Sequence, residues 1–485
     1  MDEVSEPVSR TRTIAGAVLA PAAFLALWIA PLDLPQPAHR VAAIFAAVVI
    51  AWVTEVIPIA ITALLIGPAL VATGVTDAKS AFAPYADPLL FLFVGGFMIA
   101  RAMSRHGLDR RLALFLVTRS TVDGRPGRVR IALAGGAFLL SMWISNTATA
   151  AIVVPILLGL GAEAAKRDET SSSTRTVLGG LLAVAYACSL GGLGTPVGSP
   201  PNLITMRLLR EAGISLGFLD WMKIGLPVGA IGLAIMLFQL SRTHPADTGR
   251  IDVAAARTET QRPWTRGEVV TFVAFLVAVV GWTIPGVLEV IGVPLGWGAA
   301  VLNDSVVALV AASLLYMVPA SPGGPRVLPV ADGLRIDWGV ILLFGGGISL
   351  GKQLFATGLS LDIGRGFVHL TGVHELWTLT AVAAFFSIFF TEVCSNTATA
   401  TMVVPLVIGV ARELQVSPAP PVLAVGLAAS CAFMLPIATG PNAIVYGTGR
   451  VPSTTMFREG LVLNVLCVVL IVVLLRVLCP LYGWA

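Results

Sequence analysis

Charge is what this sequence has least of. Only 12% of its 485 residues are Asp, Glu, Lys or Arg, against about 25% in an ordinary soluble domain. That shortage excludes a large soluble enzyme. Cysteine is sparse as well: Cys188, Cys394, Cys431, Cys467 and Cys479 all sit in apolar stretches with no C-x-x-C spacing. They read as small buried hydrophobes rather than redox or metal groups. The histidines fall near the ends of apolar runs, and no Ser/His/Asp set is apparent. The Gly191–Gly194 run is followed by no Gly-Lys-Ser/Thr, which rules out a phosphate loop. Neither an enzymatic activity nor a nucleic-acid partner is expected.

What is abundant is apolar. Hydrophobic residues make up 56% of the chain and the mean hydropathy is +0.88. Runs near the ~20 residues needed to cross ~30 Å of hydrocarbon recur along most of the sequence. The 49 glycines and 31 prolines suit membrane helices that pack closely or break. The first apolar run, Ile14–Ala30, has no clear cleavage site after it and reads as a first span.

The windows 131–162 and 376–411 each carry Ser-Asn-Thr in the middle. If each enters and leaves by one face, eleven true spans remain. Orientation follows arginine placement. Segments 101–130 and 241–267 are arginine-rich, and Lys166, Arg167 and Arg175 follow the first hairpin. All three land on the side of the N-terminus, which is therefore expected in the cytoplasm, with the C-terminus external and the protein in the cell inner membrane.

The sequence repeats itself. Ser145-Asn146-Thr147-Ala148-Thr149-Ala150 recurs as residues 395–400, and Phe93–Gly96 recurs as Phe344–Gly347. Thr195–Asn202 is answered by Leu435–Asn442. An odd number of crossings separates the copies, so they are expected to be inverted in the bilayer, an arrangement that puts transport sites at the repeat interface.

The breaks have a chemical logic. The arm entering each break leaves unpaired carbonyls, which favour a cation. The arm leaving it presents unpaired N–H groups and a positive dipole end, which favour an anion. Ser, Thr and Asn supply both donors and acceptors, and Thr195, Ser199 and Thr439 add hydroxyls in the downstream loops. Two facing tips of this kind suit a ligand with an anionic group at each end, a C4-dicarboxylate above all. No lysine or arginine lies in the tips or loops, so co-bound cations are expected to offset the ligand's charge.

These motifs resemble the divalent anion/sodium symporter family, whose members carry succinate, malate, fumarate, citrate or sulfate. The resemblance rests on the twin SNTATA elements, Thr54–Pro58 leading to Ile61–Leu65, the loop Gly194–Asn202 and Leu435–Thr439. It implies an all-α polytopic membrane protein, an inverted repeat with 11 transmembrane helices and two re-entrant helical hairpins, working as an elevator-type homodimer in lipid. By the same resemblance a first sodium ion would use Ser141, Ser145, Asn146 and the Gly198 carbonyl. A second would use Thr391, Cys394, Asn396 and Ala438, some through backbone carbonyls. The dicarboxylate would lie on Asn146-Thr147 and Asn396-Thr397, with Ser199, Pro200 and Thr439 nearby. Gly440 stands where many members of the family have proline.

The resemblance also implies a division into scaffold and transport domains. Residues 1–130 are first-repeat scaffold, and 131–211 the first hairpin and broken helix of the transport domain. Residues 212–338 are second-repeat scaffold with a cytoplasmic loop, and 339–357 a helix entering the transport domain. The second hairpin and broken helix occupy 376–450, and a C-terminal helix 451–485. Glu55 and Glu392 are intramembrane carboxylates, and such groups are functional candidates by default; a hydrogen-bonded structural role is the plainer reading for both. A sodium-independent dicarboxylate exchanger is the leading alternative, with citrate and sulfate as alternative cargo. A sodium/proton antiporter would place acidic residues at the breaks, where amides and hydroxyls stand instead.

Overall fold

The computed structural model describes residues 10–119, 121–165, 172–247, 250–293, 296 and 298–485. Lys166 and Arg167 lie outside the described residues. Among those residues the chain is helical from end to end, with one isolated antiparallel bridge between Pro319 and Arg326. Helix is the form that pairs every backbone group within its own segment, as hydrocarbon requires. Seven helices are long and apolar enough to cross a membrane, eight if a pair bent by 97° at residues 372–375 counts as one. Their outer faces are apolar. Val462, Val465, Val469, Val473 and Val477 form an exposed stripe at helical spacing on Ser453–Leu481. A stripe of that extent faces lipid rather than water.

Several shorter apolar helices belong to the interrupted segments. The first hairpin has an entering arm, Pro126–Ser141, and a leaving arm, Asn146–Ala165. The second has Leu376–Thr391 and Asn396–Glu413. The sequence windows suggest a longer entering arm in the second hairpin, but both arms have 16 residues, a rise of ~24 Å and too little to span. Pro126 starts the first arm earlier than hydropathy indicates, because proline is pre-shaped for the first helical turn. The breaks also sit a few residues earlier than the Ser-Asn-Thr triplets, at 142–145 and 392–395.

Each downstream helix is broken in its turn. Ser172–Gly192 resumes as Pro200–Glu211, and Ala419–Ala428 resumes as Gly440–Gly447. Prolines at the first or second position of each resumed helix set its start. The resumed halves then cross over. Pro200–Glu211 packs on the second hairpin's Asn396–Glu413, and Gly440–Gly447 packs on the first hairpin's Asn146–Ala165.

The glycine motifs matched in the sequence serve close helix contact. Gly95 on Pro88–His106 lies so near the Ala308 backbone that a Cβ would come within 2.6 Å of it. Gly346 on Trp338–Ala356 meets the Ala63 carbonyl in the same way, at 2.4 Å. Pro88–His106 thereby seats on Asp304–Met317, and Trp338–Ala356 on Ile59–Ala72. All five cysteines are buried and free.

Candidate functional site

Both hairpin tips share one local design. In each, the serine precedes the leaving helix and caps it: Ala148 N–H donates to Ser145 Oγ and Ala398 N–H to Ser395 Oγ, both at 3.2 Å. Capping at the third residue leaves the amides of the first two, Asn146-Thr147 and Asn396-Thr397, without an intrahelical acceptor. Behind each tip a buried hydroxyl orients the asparagine. Ser141 Oγ donates to Asn146 Oδ1 at 2.6 Å; Thr391 Oγ1 lies 2.7 Å from Asn396 Oδ1 and 2.8 Å from the Ala429 carbonyl, and its one proton is shared between these two acceptors. In the first tip the amide oxygen is thus held toward the entering arm, which turns the Nδ2 donor away from it.

The loops are pinned from inside by asparagines that the sequence reading used only for matching. Asn202 Nδ2 donates to the Gly192 and Thr195 carbonyls, each at 2.8 Å. Asn442 Nδ2 donates to Ala432 and Leu435 carbonyls at 3.1 and 3.0 Å. In the first copy this side-chain amide ties the end of the first half-helix to the loop; in the second it ties two points of the loop, because the half-helix ends at Ala428. The signal for it was present, since Pro-Asn ends both matched loops.

Tip and loop are joined by different devices in the two copies. In the first, Thr195 Oγ1 donates to the Met142 carbonyl at the break. In the second, Leu435 replaces that threonine and Glu392 replaces Met142. The Glu392 carboxylate accepts from Phe433, Met434 and Leu435 N–H at 2.8, 2.9 and 3.0 Å, and from Asn464 Nδ2 at 2.7 Å. A carbonyl–hydroxyl link is exchanged for a carboxylate cradled by amides. Glu392 is only 3% exposed, and its carboxylate is fully engaged by these four donors. Glu55 ends helix Gln36–Thr54 in a left-handed conformation (φ 50°), 3.9 Å from Arg12.

All four breaks meet around one cavity of about 420 Å³, within the ~300–1,000 Å³ typical of small-molecule sites. Ser145, Asn146 and Thr147 line it opposite Ser395, Asn396 and Thr397. Gly198, Ser199 and Pro200 face it from one loop, and Ala438, Thr439 and Gly440 from the other. Ser141, Thr391 and Cys394 do not line it; they lie buried behind the tips. Gly440 does not loosen the wall. A Cβ there would lie 2.0 Å from Thr147 Oγ1, so Thr147 of the first tip fills the space against the second loop. The remaining wall comes from Pro88–His106, through Phe93, Phe97, Ala100, Arg101 and Ser104, and from Arg335–Asp337 before the helix Trp338–Ala356. The cavity therefore reaches the end of the molecule that carries the arginine-rich segment 101–130.

Comparison with known proteins agrees with this architecture. Residues 11–484 match the model of the sodium:sulfate symporter transmembrane region. The chain is 34% identical over 450 residues to an uncharacterized transporter of Haemophilus influenzae, covering 92% of this chain and 93% of that one. It is 32% identical over 484 residues to the sodium-dependent dicarboxylate transporter SdcS of Staphylococcus saprophyticus, covering 96% and 91%. Among solved structures, the Alcanivorax borkumensis YdaH transporter superposes with a TM-score of 0.53 at 16% identity, over 83% of this chain and 87% of that one. That last likeness concerns the fold alone. These relatives are transporters rather than enzymes, and with a family match spanning nearly the whole length, this chain belongs to the sodium:sulfate symporter family.

Proposed function

We propose that this protein is a secondary active transporter that carries a C4-dicarboxylate such as succinate, malate or fumarate into the cell with sodium ions. The observation that carries this reading is the convergence of both Ser-Asn-Thr tips and both broken loops on one cavity. Free amides at two helix starts face the same space, and each suits one carboxylate. Sodium takes oxygen ligands, and the proposed sets are Ser141, Ser145, Asn146 and Gly198 in one copy, and Thr391, Cys394, Asn396 and Ala438 in the other. The substrate lies on Asn146, Thr147, Asn396 and Thr397, with Ser199, Pro200 and Thr439 beside it. The sodium-dependent dicarboxylate transporter named among the relatives supports both the cation and the cargo.

The copies are read as inverted repeats of eleven spans and two hairpins. Supporting this, Phe93 and its repeat counterpart Phe344 touch edge to face at 5.9 Å, a contact that equivalent residues make only near the axis relating them. Transport proceeds as an elevator, with 131–211 and 376–450 moving against 1–130 and the remaining scaffold, in a homodimer. Within the scaffold stretch 212–338, helix Phe218–Thr243 packs on Arg266–Val290 and also on Ser172–Gly192 and Ser453–Leu481, so it joins that stretch to the hairpin side. The N-terminus lies in the cytoplasm and the C-terminus outside the inner membrane. In that orientation the cavity opens inward.

Proteoliposomes given labelled succinate test the proposal. Uptake is expected with an inward sodium gradient and is expected to vanish when choline replaces sodium. Counterflow that is equally fast without sodium would replace symport by exchange, and strong competition by citrate or sulfate would reassign the cargo.

A further inference from the structure

The tips and loops carry no cation, yet the wall opposite them does. Arg101 lies near the end of helix Pro88–His106 and lines the cavity. Its neighbours on this face are engaged. Arg105 pairs with Asp332, Arg110 with Glu259 at 2.8 Å, Arg111 with Glu268 at 3.3 Å, and Arg130 binds the His244 carbonyl at 2.6 Å. Among the described residues Arg101 has no ion pair or hydrogen bond. The other charges at the mouth are Arg335, 3.9 Å from Asp332, and Asp337, which caps its helix by accepting from Val340 N–H at 3.2 Å. Two cations against one occupied carboxylate leave the mouth positive.

The geometry points to Arg101 as a specificity-determining residue that holds a dianion at the inner mouth of the cavity, a role beyond positive-inside topology. This rests on the transport reading above. Arg101 sits on a helix seated against Asp304–Met317 through Gly95, not on either hairpin. It meets the ligand only while the hairpins stand at the level seen here. Its charge therefore strengthens binding from the cytoplasmic side and slows release there, while contributing little when the hairpins face outward. A half-exposed guanidinium acting on two negative charges is expected to change apparent affinity by roughly three- to twentyfold at physiological salt.

The test is sided. Sodium-dependent succinate transport is measured in right-side-out and in inverted membrane vesicles, for the wild type, Arg101→Gln and Arg101→Lys. Arg101→Gln is expected to raise the half-saturating succinate concentration by roughly three- to twentyfold in inverted vesicles and by less than twofold in right-side-out ones. Arg101→Lys restores most of the difference, because the charge rather than a fixed fork does the work. Raising ionic strength weakens the wild type in inverted vesicles and leaves Arg101→Gln nearly flat. Equal changes on both sides, or a glutamine variant indistinguishable from wild type, would overturn the inference while leaving the transport reading intact. Wild-type vesicles inert toward succinate, citrate and sulfate would instead overturn the transport reading and this inference together.

Discussion

Glu392 offers the sharpest test of how the second break is built, because its carboxylate meets four donors and no acceptor. Oε1 takes Phe433 N–H, Met434 N–H and Asn464 Nδ2, and Oε2 takes Leu435 N–H. In Glu392→Gln the amide oxygen can keep the three donors at Oε1. The NH2 group must then face the Leu435 N–H, donor against donor. A hydrogen bond to a charged acceptor is worth about 1.5–3 kcal/mol, and a buried donor left unpaired costs about 1–3 kcal/mol. The three surviving bonds also lose their charge assistance, while a neutral side chain recovers part of the desolvation cost. The net expectation is a local loss of about 2–4 kcal/mol. Hydrogen exchange followed by mass spectrometry reads this directly. Amides in the loop 429–439 are expected to exchange roughly 30- to 700-fold faster than in wild type, with the first copy's loop 193–199 unchanged. If Glu392 were instead a proton carrier, the glutamine variant would keep loop protection and flatten the pH dependence of transport. That pair of results would refute the structural assignment.

Other expectations follow from the same geometry. Asn146→Ala and Asn396→Ala each remove the donor at a tip while leaving the helix cap to serine, so labelled succinate uptake is expected to fall at least tenfold at near-normal protein levels. Thr195→Val breaks two neutral links, one to the Met142 carbonyl and one from Gly198 N–H at 3.2 Å, and is expected to cost about 1–2 kcal/mol, so its loop exchanges less rapidly than that of Glu392→Gln. Gly440→Ala drives a methyl group into Thr147; overpacking of this kind costs about 1–3 kcal/mol, and a raised half-saturation for succinate is expected. Asn442→Leu frees the Ala432 and Leu435 carbonyls and should lower the unfolding temperature in detergent more than a surface leucine such as Leu370→Ala does.

Much was legible in the chain before any fold was known. Scarce charge and recurring apolar runs fix a helical membrane protein, because lipid accepts no unpaired backbone and little charge. The twin Ser-Asn-Thr triplets and twin Pro-Asn loops marked the breaks, since those residues compete with helix locally wherever they stand. Hydropathy misjudged their edges by a few residues, because it measures partition and not capping; Pro126 and the two serine caps decide where the arms begin. What only the tertiary structure decided is which distant groups meet. The resumed helices cross to the opposite hairpin, Glu392 does in one copy what a Thr195–Met142 pair does in the other, and Arg101 turns into the cavity among neighbours that are paired. Each of these depends on contacts between segments about 40 to 300 residues apart, and no local preference of the chain encodes a partner that far away.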